Sequence, residues 1–266
     1  MTRMASEFND VLARCYLDWL LELGADEAIS EEPINFYVLS REKSNQAMSS
    51  RLGSGITSKI SNTGTASAPI DPIEVAATLA QDAQDMTALQ SAIATFNHYP
   101  DRQGARNLVF ADGIIGAHIM IIGDVPSRED DDAGKSFSGA AGELLDNMLK
   151  SIGLSRSETV YMTNLMPWRP PNRPLRDEEI SLFKPFLLRH IELANPDILV
   201  VMGRAGLKAI FGQQARSVHR GQWHQALNKQ VLLMDHPALL LSEPLRKRDA
   251  WTDLLSLKSV LDCGLN

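Results

Sequence analysis

Hydrophobic positions along the chain change their period twice, and each change marks an element or a boundary. From Phe8 to Leu23 the apolar residues Val11, Leu12, Tyr16, Trp19, Leu20 and Leu23 recur at helical spacing, which predicts an amphipathic helix that Gly24 stops. From Arg41 to Pro69 no period is sustained; the run RLGSGITSKISNTGTASAP is rich in Ser, Gly and Thr and reads as a flexible linker. Asp71 followed by Pro72 then has the form of an N-cap with Pro at the first helical position, opening one long helix through IEVAATLAQDAQDMTALQSAI. The expected organisation is a helical extension over residues 1–40, a linker over 41–70 and a folded domain over 71–266.

Within that domain, short apolar runs alternate with helical patterns. AHIMIIG, TVYMTN, DILVVMG and QVLLMD have the length and composition of strands; between and after them, helical spacing covers residues 140–151, 177–193, 204–211 and 247–261. Such alternation signals a parallel sheet covered on both faces. The predicted fold is an α/β protein, a three-layer α/β/α sandwich around a central four-stranded parallel sheet. Ligands of such sheets bind beyond the carboxyl ends of the strands. The segments to inspect are therefore those that follow the four runs: GDVPSREDDDAGKSFSG, NLMPWRPPNRP, GRAG and HPALLL.

Composition narrows the class. With 266 residues, 44% hydrophobic and 22% charged, the chain can build one sizeable core with an appended segment. No stretch approaches the run of about 20 apolar residues that a membrane span needs, and MTRMASEFND carries charge where a leader would be apolar. The expectation is a cytoplasmic monomer with no membrane partner. Cys15 and Cys263 are the only cysteines, which leaves neither a disulfide framework nor a thiolate metal site. The net charge of −7 opposes general affinity for phosphates, but the charge is uneven. Acidic residues crowd the N-terminal segment, whereas Arg204, Arg216, Arg220, Arg246, Lys247 and Arg248 lie in the second half, so one face can still meet a nucleic acid.

Gly123-Asp124-Val125-Pro126, the pair Asp130-Asp131 and the run Gly134 to Gly139 are followed, in order, by further short motifs. These are Thr163-Asn164, Trp168-Arg169-Pro170-Pro171-Asn172-Arg173, Arg220-Gly221-x-Trp223 and His236-Pro237-Ala238. The ordered set, from about Phe96 to Leu257, resembles the type-4 branch of the uracil-DNA glycosylase superfamily. The first motif of that branch reads Gly-Glu-Ala-Pro-Gly, an acidic pair, then Gly-x-Pro-Phe-x-Gly before a helix. The resemblance implies hydrolysis of the N-glycosidic bond of deoxyuridine in DNA, which releases uracil and leaves an abasic site for base excision repair. Uracil-containing DNA is the implied partner.

Breaking that bond develops positive charge on the sugar and negative charge on the departing base, and catalysis stabilises charge that appears in the transition state. The target must also leave the stack and enter a pocket that reads its edge. Asn164 can donate to a uracil oxygen and accept from the ring N–H, a pattern cytosine cannot match; read alone, it equally suits an Asx turn. The resemblance makes Phe137 the ring that stacks on the base, where position alone also allows a core aromatic. It makes His236 the donor to uracil O2, although a His before Pro is otherwise a turn residue. Asp124 is implied to orient water or to stabilise the sugar cation. Gly123 and Val125 are implied to frame the base, and Asp130 to stand at its C5 edge. On the DNA side the resemblance implies Arg169, Asn172 and Arg173, together with Arg246 and Lys247 on phosphates. Leu240, within Leu239 to Leu241, is implied as the wedge that fills the gap left by the base, although leucines in that number equally suit an ordinary helix-entry core.

Type-4 enzymes usually hold a 4Fe-4S cluster on four cysteines. The stretch HYPDRQGARNLVFADG, where the first two belong, has none; Trp168 takes the third position and Phe183 the fourth. No metal or cofactor is therefore expected, and aromatic packing is expected in the cluster's place. Asp124 stands for Glu, Ser127 for the last Gly of the first motif, and Ser242 for an Arg after the leucines. These departures keep a second reading in view, a catalytically degenerate protein of the same fold that binds uracil or DNA. A glycosylase that traps DNA through a loop histidine is disfavoured because Leu165 to Arg189 contains no His. A dinucleotide- or phosphate-loop enzyme is disfavoured because its glycine signature follows no strand. The N-terminal helix is a candidate protein-docking element.

Overall fold

A computed structural model describes residues 71–264 apart from residue 172, all in the second of two units into which the chain divides, Ala66–Asn266. The helix expected over residues 8–23, with the rest of the extension and linker, lies outside the described residues. Asp71 caps α1 (Pro72–Asp82) by accepting from the Ile73 N–H at 2.9 Å. The single long helix expected to follow is two helices. The chain turns extended at Ala83, and Asp85 caps α2 (Met86–Thr95) through the Ala88 N–H at 2.8 Å. Aspartate is poor inside a helix and strong at an N-cap, so Asp85 starts a new helix sooner than it continues an old one. The Ala83 carbonyl freed by the break accepts from the Arg189 guanidinium.

The expected strands form as β2 (Ile119–Gly123), β3 (Val160–Asn164), β4 (Ile198–Met202) and β6 (Lys229–Leu233), mutually parallel at the centre of the sheet. Among the described residues the sheet nevertheless has six strands, with β1 (Ala111–Gly113) and β5 (Trp223–Ala226) added in the order β1-β3-β2-β4-β6-β5. Its edges, β1 and β5, are antiparallel to their neighbours. β1 is three residues long, too short to show a period. The β5–β6 hairpin turns on Leu227 and Asn228, at φ 53° and 57°, the backbone of a twisted two-residue turn without its usual Asn-Gly spelling.

Period-2 alternation on the strands divides the core between two faces. Met120, Ile122, Tyr161, Leu199, Val201 and Val231 pack with α1, α2, α5 (Asp177–Ala194) and α6 (Arg204–Phe211). Ile119, Ile121, Val160, Met162, Ile198, Val200 and Leu232 pack with α4 (Gly139–Ser151), α7 (Pro237–Ser242) and α8 (Lys247–Gly264). These are the three layers that the sequence pattern implies. A short α3 (Arg128–Ala133) lies in the loop between β2 and α4. Among the described residues, no helix is long and apolar enough to cross a membrane.

Candidate active site

Register builds the site first. Gly123, the last residue of β2, pairs with Asn164 of β3 on one side and Met202 of β4 on the other, so three strand ends stand level. Asn164 is only 6% exposed, and its Nδ2 is buried without a partner, so the side chain serves no turn or cap. A buried donor left unpaired costs about 1–3 kcal/mol, which a ligand oxygen placed against it recovers. A Cβ on Gly123 would lie 2.2 Å from Asn164 Oδ1 and 3.0 Å from Phe137 Cζ. The glycine is what allows the amide and the ring to meet at the end of β2.

Phe137 is buried and has φ 54°, a left-handed backbone that costs a bulky residue about 1–3 kcal/mol. Its carbonyl lies where a Cβ on Gly142 would be, 1.8 Å away, so α4 passes only because that residue is glycine. Asp130 secures the same loop. Its Oδ2 accepts from the Ser127 N–H at 3.0 Å in a capping box, and its Oδ1 accepts from the Ser138 N–H at 2.5 Å. The structure thus places Asp130 beneath the loop, both oxygens engaged by backbone, rather than presented to a base edge. Ser127, a departure from the type-4 motif, is the N-cap of α3.

The His236 ring lies against Phe137, centroids 5.4 Å apart and planes inclined by 22°. Its Nδ1 accepts from the Ala238 N–H at 3.2 Å, capping α7. The proton of the neutral ring therefore sits on Nε2, which has no hydrogen-bond partner among the described residues. Burial lowers the His236 pKa, and the charges of Asp124 and Asp130 pull the other way. The cap thus fixes the tautomer in which a neutral His236 ring carries its N–H at Nε2.

Asp124 Oδ1 accepts from the Gly206 N–H at 2.8 Å, and its carboxylate lies over Gly203, where a Cβ would meet it at 2.2 Å. Burial raises its pKa, while the amides of Gly206, Ala205 and Arg204 and the nearby His236 hold it down. In sequence GRAG is legible only as a segment that follows a strand. The structure makes it the amide cradle of Asp124.

The expected DNA contacts divide. Leu240, the expected wedge, is 1% exposed and packs in the second core. The exposed leucines nearby are Leu241 and, at 93%, Leu245, an isolated apolar residue in the polar run EPLRKR. Arg173 is also engaged, its guanidinium donating to Glu179 at 2.7 and 2.8 Å and to Asp101. Those bonds draw Glu179 well below the usual carboxylate range, to about 2. Arg246 pairs with Glu243 at 2.5 Å, whereas Lys247 is exposed. Arg169 and Val125 line a depression with Pro126, Pro170, Pro171 and Pro174. Asn172 lies outside the described residues.

Beside His236 runs a cleft of about 1320 Å³, lined by Lys184, Arg204, Lys208, Arg216, Arg220 and Arg246 and by one acidic residue, Asp235. Phe137 and Asn164 do not line it. Of the cleft's cations Lys208 pairs with Asp177, Arg220 with Asp235, Asp249 and Asp253, and Arg246 with Asp235 and Glu243, which leaves Lys184, Arg204 and Arg216 without an ion pair among the described residues.

The ends of the parallel strands and the loops beside them thus bring a buried amide, an aromatic ring, an imidazole and a carboxylate into one region of the fold. The chain belongs to the uracil-DNA glycosylase superfamily, type-4 branch: the model of the Uracil DNA glycosylase superfamily matches residues 110–255. It is similar to the type-4 uracil-DNA glycosylase of Pyrobaculum aerophilum, at 28% identity over 180 residues, 64% of this chain and 91% of that one. It is also similar to those of Sulfurisphaera tokodaii, at 37% over 153 residues (53% and 69% of the two chains), and Archaeoglobus fulgidus, at 32% over 160 residues (56% and 78%).

The residues present do not fit the branch's iron–sulfur cluster. The chain's two cysteines cannot supply four thiolates, and Cys263 lies exposed on α8. Trp168 and Phe183, at two of the ligand positions, belong to a nest of rings. Tyr99 stacks on Trp168 at 6.3 Å, Phe183 meets Tyr99, Trp168 and Phe96 edge-on at 5.3, 5.9 and 6.0 Å, and Arg102 covers Trp168 at 4.9 Å. Among the described residues no group of three or more His, Cys, Asp or Glu could hold a metal. Each such aromatic pair contributes about 0.5–1.5 kcal/mol beyond burial.

Proposed function

We propose that the protein recognises uracil in DNA and hydrolyses its N-glycosidic bond, releasing uracil and leaving an abasic site. The observation that carries this reading is the buried, unpartnered Asn164 amide, set beside Phe137 and His236 at the level strand ends. The nucleotide turns out of the stack, its base lies against Phe137, and Asn164 donates to a uracil oxygen while accepting from the ring N–H. His236 donates from Nε2 to the second oxygen as the base departs with negative charge. Asp124 meets the sugar side, where it stabilises positive charge or orients water. The basic cleft takes phosphates, and Leu245 fills the gap in the duplex. The same reading makes the protein a cytoplasmic monomer whose activity resides in residues 71–266.

One observation favours a second reading, a protein that binds uracil in DNA without hydrolysis. Asp124 is shorter than the glutamate usual in this branch and already accepts from the first amides of α6. Single-turnover assay on an oligonucleotide carrying one deoxyuridine, with affinity measured in parallel, separates the two. Abasic product supports the first reading; uracil-dependent affinity without product supports the second; neither outcome overturns both.

A further inference from the structure

Arg156 lies in the turn between α4 and β3, and its guanidinium reaches the loop that carries Phe137. Nη2 donates to the Phe137 carbonyl at 2.7 Å, and Nη1 donates to the Ser136 carbonyl at 3.1 Å. Two carboxylates hold the guanidinium itself: Asp112 of β1 accepts from Nη1 at 2.8 Å and Asp146 of α4 from Nε at 2.9 Å. From the far side Asp130 accepts from the Ser138 N–H. Three consecutive residues around Phe137 are thus tied by two side chains, Arg156 from the α4–β3 turn and Asp130 from α3, and Arg156 is itself held from β1 and α4.

This density of bonds falls where the chain needs it. A phenylalanine at φ 54° does not hold that conformation unaided, since a bulky L-residue avoids the left-handed region. The bonds to the carbonyls of residues 136 and 137 are what oppose its relaxation, and relaxation would swing the ring away from Gly123 and His236. Only a planar fork with several fixed donors can hold two successive carbonyls and two carboxylates together; a lysine ammonium keeps the charge but loses that geometry.

We propose that Arg156 is a positioning residue for base recognition, holding the backbone of residues 136–137 so that the Phe137 ring faces Asn164 and His236. The proposal deepens the reading of Phe137 as the ring that stacks on uracil, and rests on that reading for its link to excision. It does not rest on it for its structural content.

Two measurements on the full-length chain test it. In the first, hydrogen exchange of the peptide spanning residues 134–140 is compared between the parent and Arg156→Lys. Exchange there is expected to quicken by about tenfold or more, with the β4 peptide unchanged. Unchanged exchange at 134–140 overturns the proposal whatever the activity. Should Arg156→Lys fail to fold, Asp112→Asn removes one anchor and touches neither carbonyl. It is expected to quicken the same peptide about threefold, and no change there overturns the proposal equally.

In the second, single-turnover excision is measured for the parent, Arg156→Lys, Phe137→Ala and the double variant. Arg156→Lys is expected to lose about 10–100-fold in rate with enzyme in excess over DNA, and to lose less than about twofold further when Phe137 is already alanine. An undiminished loss in the Phe137→Ala background shows that Arg156 acts elsewhere and overturns the proposal. A parent that releases no uracil defeats the glycosylase reading alone, because the exchange measurement still decides the role of Arg156.

Discussion

Replacing Gly123 by alanine adds one methyl group at the point where the site is tightest. The backbone of Gly123 is not in the left-handed region, so alanine meets no conformational penalty and the effect is one of space. The new Cβ would fall 2.2 Å from Asn164 Oδ1 and 3.0 Å from Phe137 Cζ, where ordinary contact begins at 3.4 Å. The amide must therefore retreat by more than an ångström, and the ring by a few tenths. A misplacement of about 1 Å in a positioning group costs roughly a hundredfold in rate, equivalent to about 2.7 kcal/mol of transition-state stabilisation. Overpacking costs about 1–3 kcal/mol of stability, and the reduced freedom of the unfolded chain returns about 0.4–1 kcal/mol. The variant should melt only a few degrees lower and remain folded at 25 °C. Single-turnover excision on a uracil oligonucleotide, at a temperature well below both melting midpoints, should fall about a hundredfold. A folded Gly123→Ala protein within threefold of the parent would mean that Asn164 and Phe137 do not form the base pocket.

Three further outcomes follow from the same geometry. Asn164→Asp should lose excision more than DNA affinity, since a carboxylate accepts but cannot donate to a base oxygen; selective excision retained by that variant would remove Asn164 from the pocket. Buried His190 donates to or accepts from the Tyr161 hydroxyl at 2.8 Å, stacks on Phe110 at 4.5 Å, and has its pKa lowered by burial to about 3. The unfolded chain therefore takes the proton first as pH falls. The stability this histidine contributes is complete above about pH 6.5 and drains toward about pH 3, by up to about 1.4 kcal/mol per pH unit. Denaturant unfolding of His190→Gln should show a shallower acid loss than the parent between those limits, and parallel pH profiles would contradict it. Purified protein should contain no iron and no visible charge-transfer band; about four irons per chain would overturn the aromatic replacement of the cluster.

How much of this could be read from the chain depended on how local each signal was. Three of the four central strands, β2, β3 and β4, are buried along their whole length and are spelled by largely apolar runs, while β6 is marked by its apolar second half alone. β1 has no such spelling, and β5 reads half polar because it lies at an edge. The break at Ala83 was written in Asp85, but an aspartate that caps a helix and one that faces solvent look alike in sequence. At the site, residues that the ordered motifs single out, Gly123, Phe137, Asn164 and His236, lie close together in the fold. Burial was the part the motifs could not supply. Leu240 and Leu245 are both leucines in one short stretch, yet one is core and the other almost wholly exposed. Likewise nothing near Arg156 in the chain refers to Phe137, nineteen positions away, and only the fold brings the two together.

The central claim is that a donor held by the fold waits for charge that appears only as the base departs. Nδ1 of His236 is engaged by the Ala238 N–H, which leaves Nε2–H for that task. Single-turnover excision by His236→Ala, with binding to uracil-containing DNA measured on the same preparation, tests it directly. The rate should fall by about 10²–10³ while affinity stays within a few-fold, because the lost bond strengthens only in the transition state. A parent that excises uracil and a His236→Ala variant that matches its rate would contradict the account, leaving His236 a cap for α7 and the active site elsewhere.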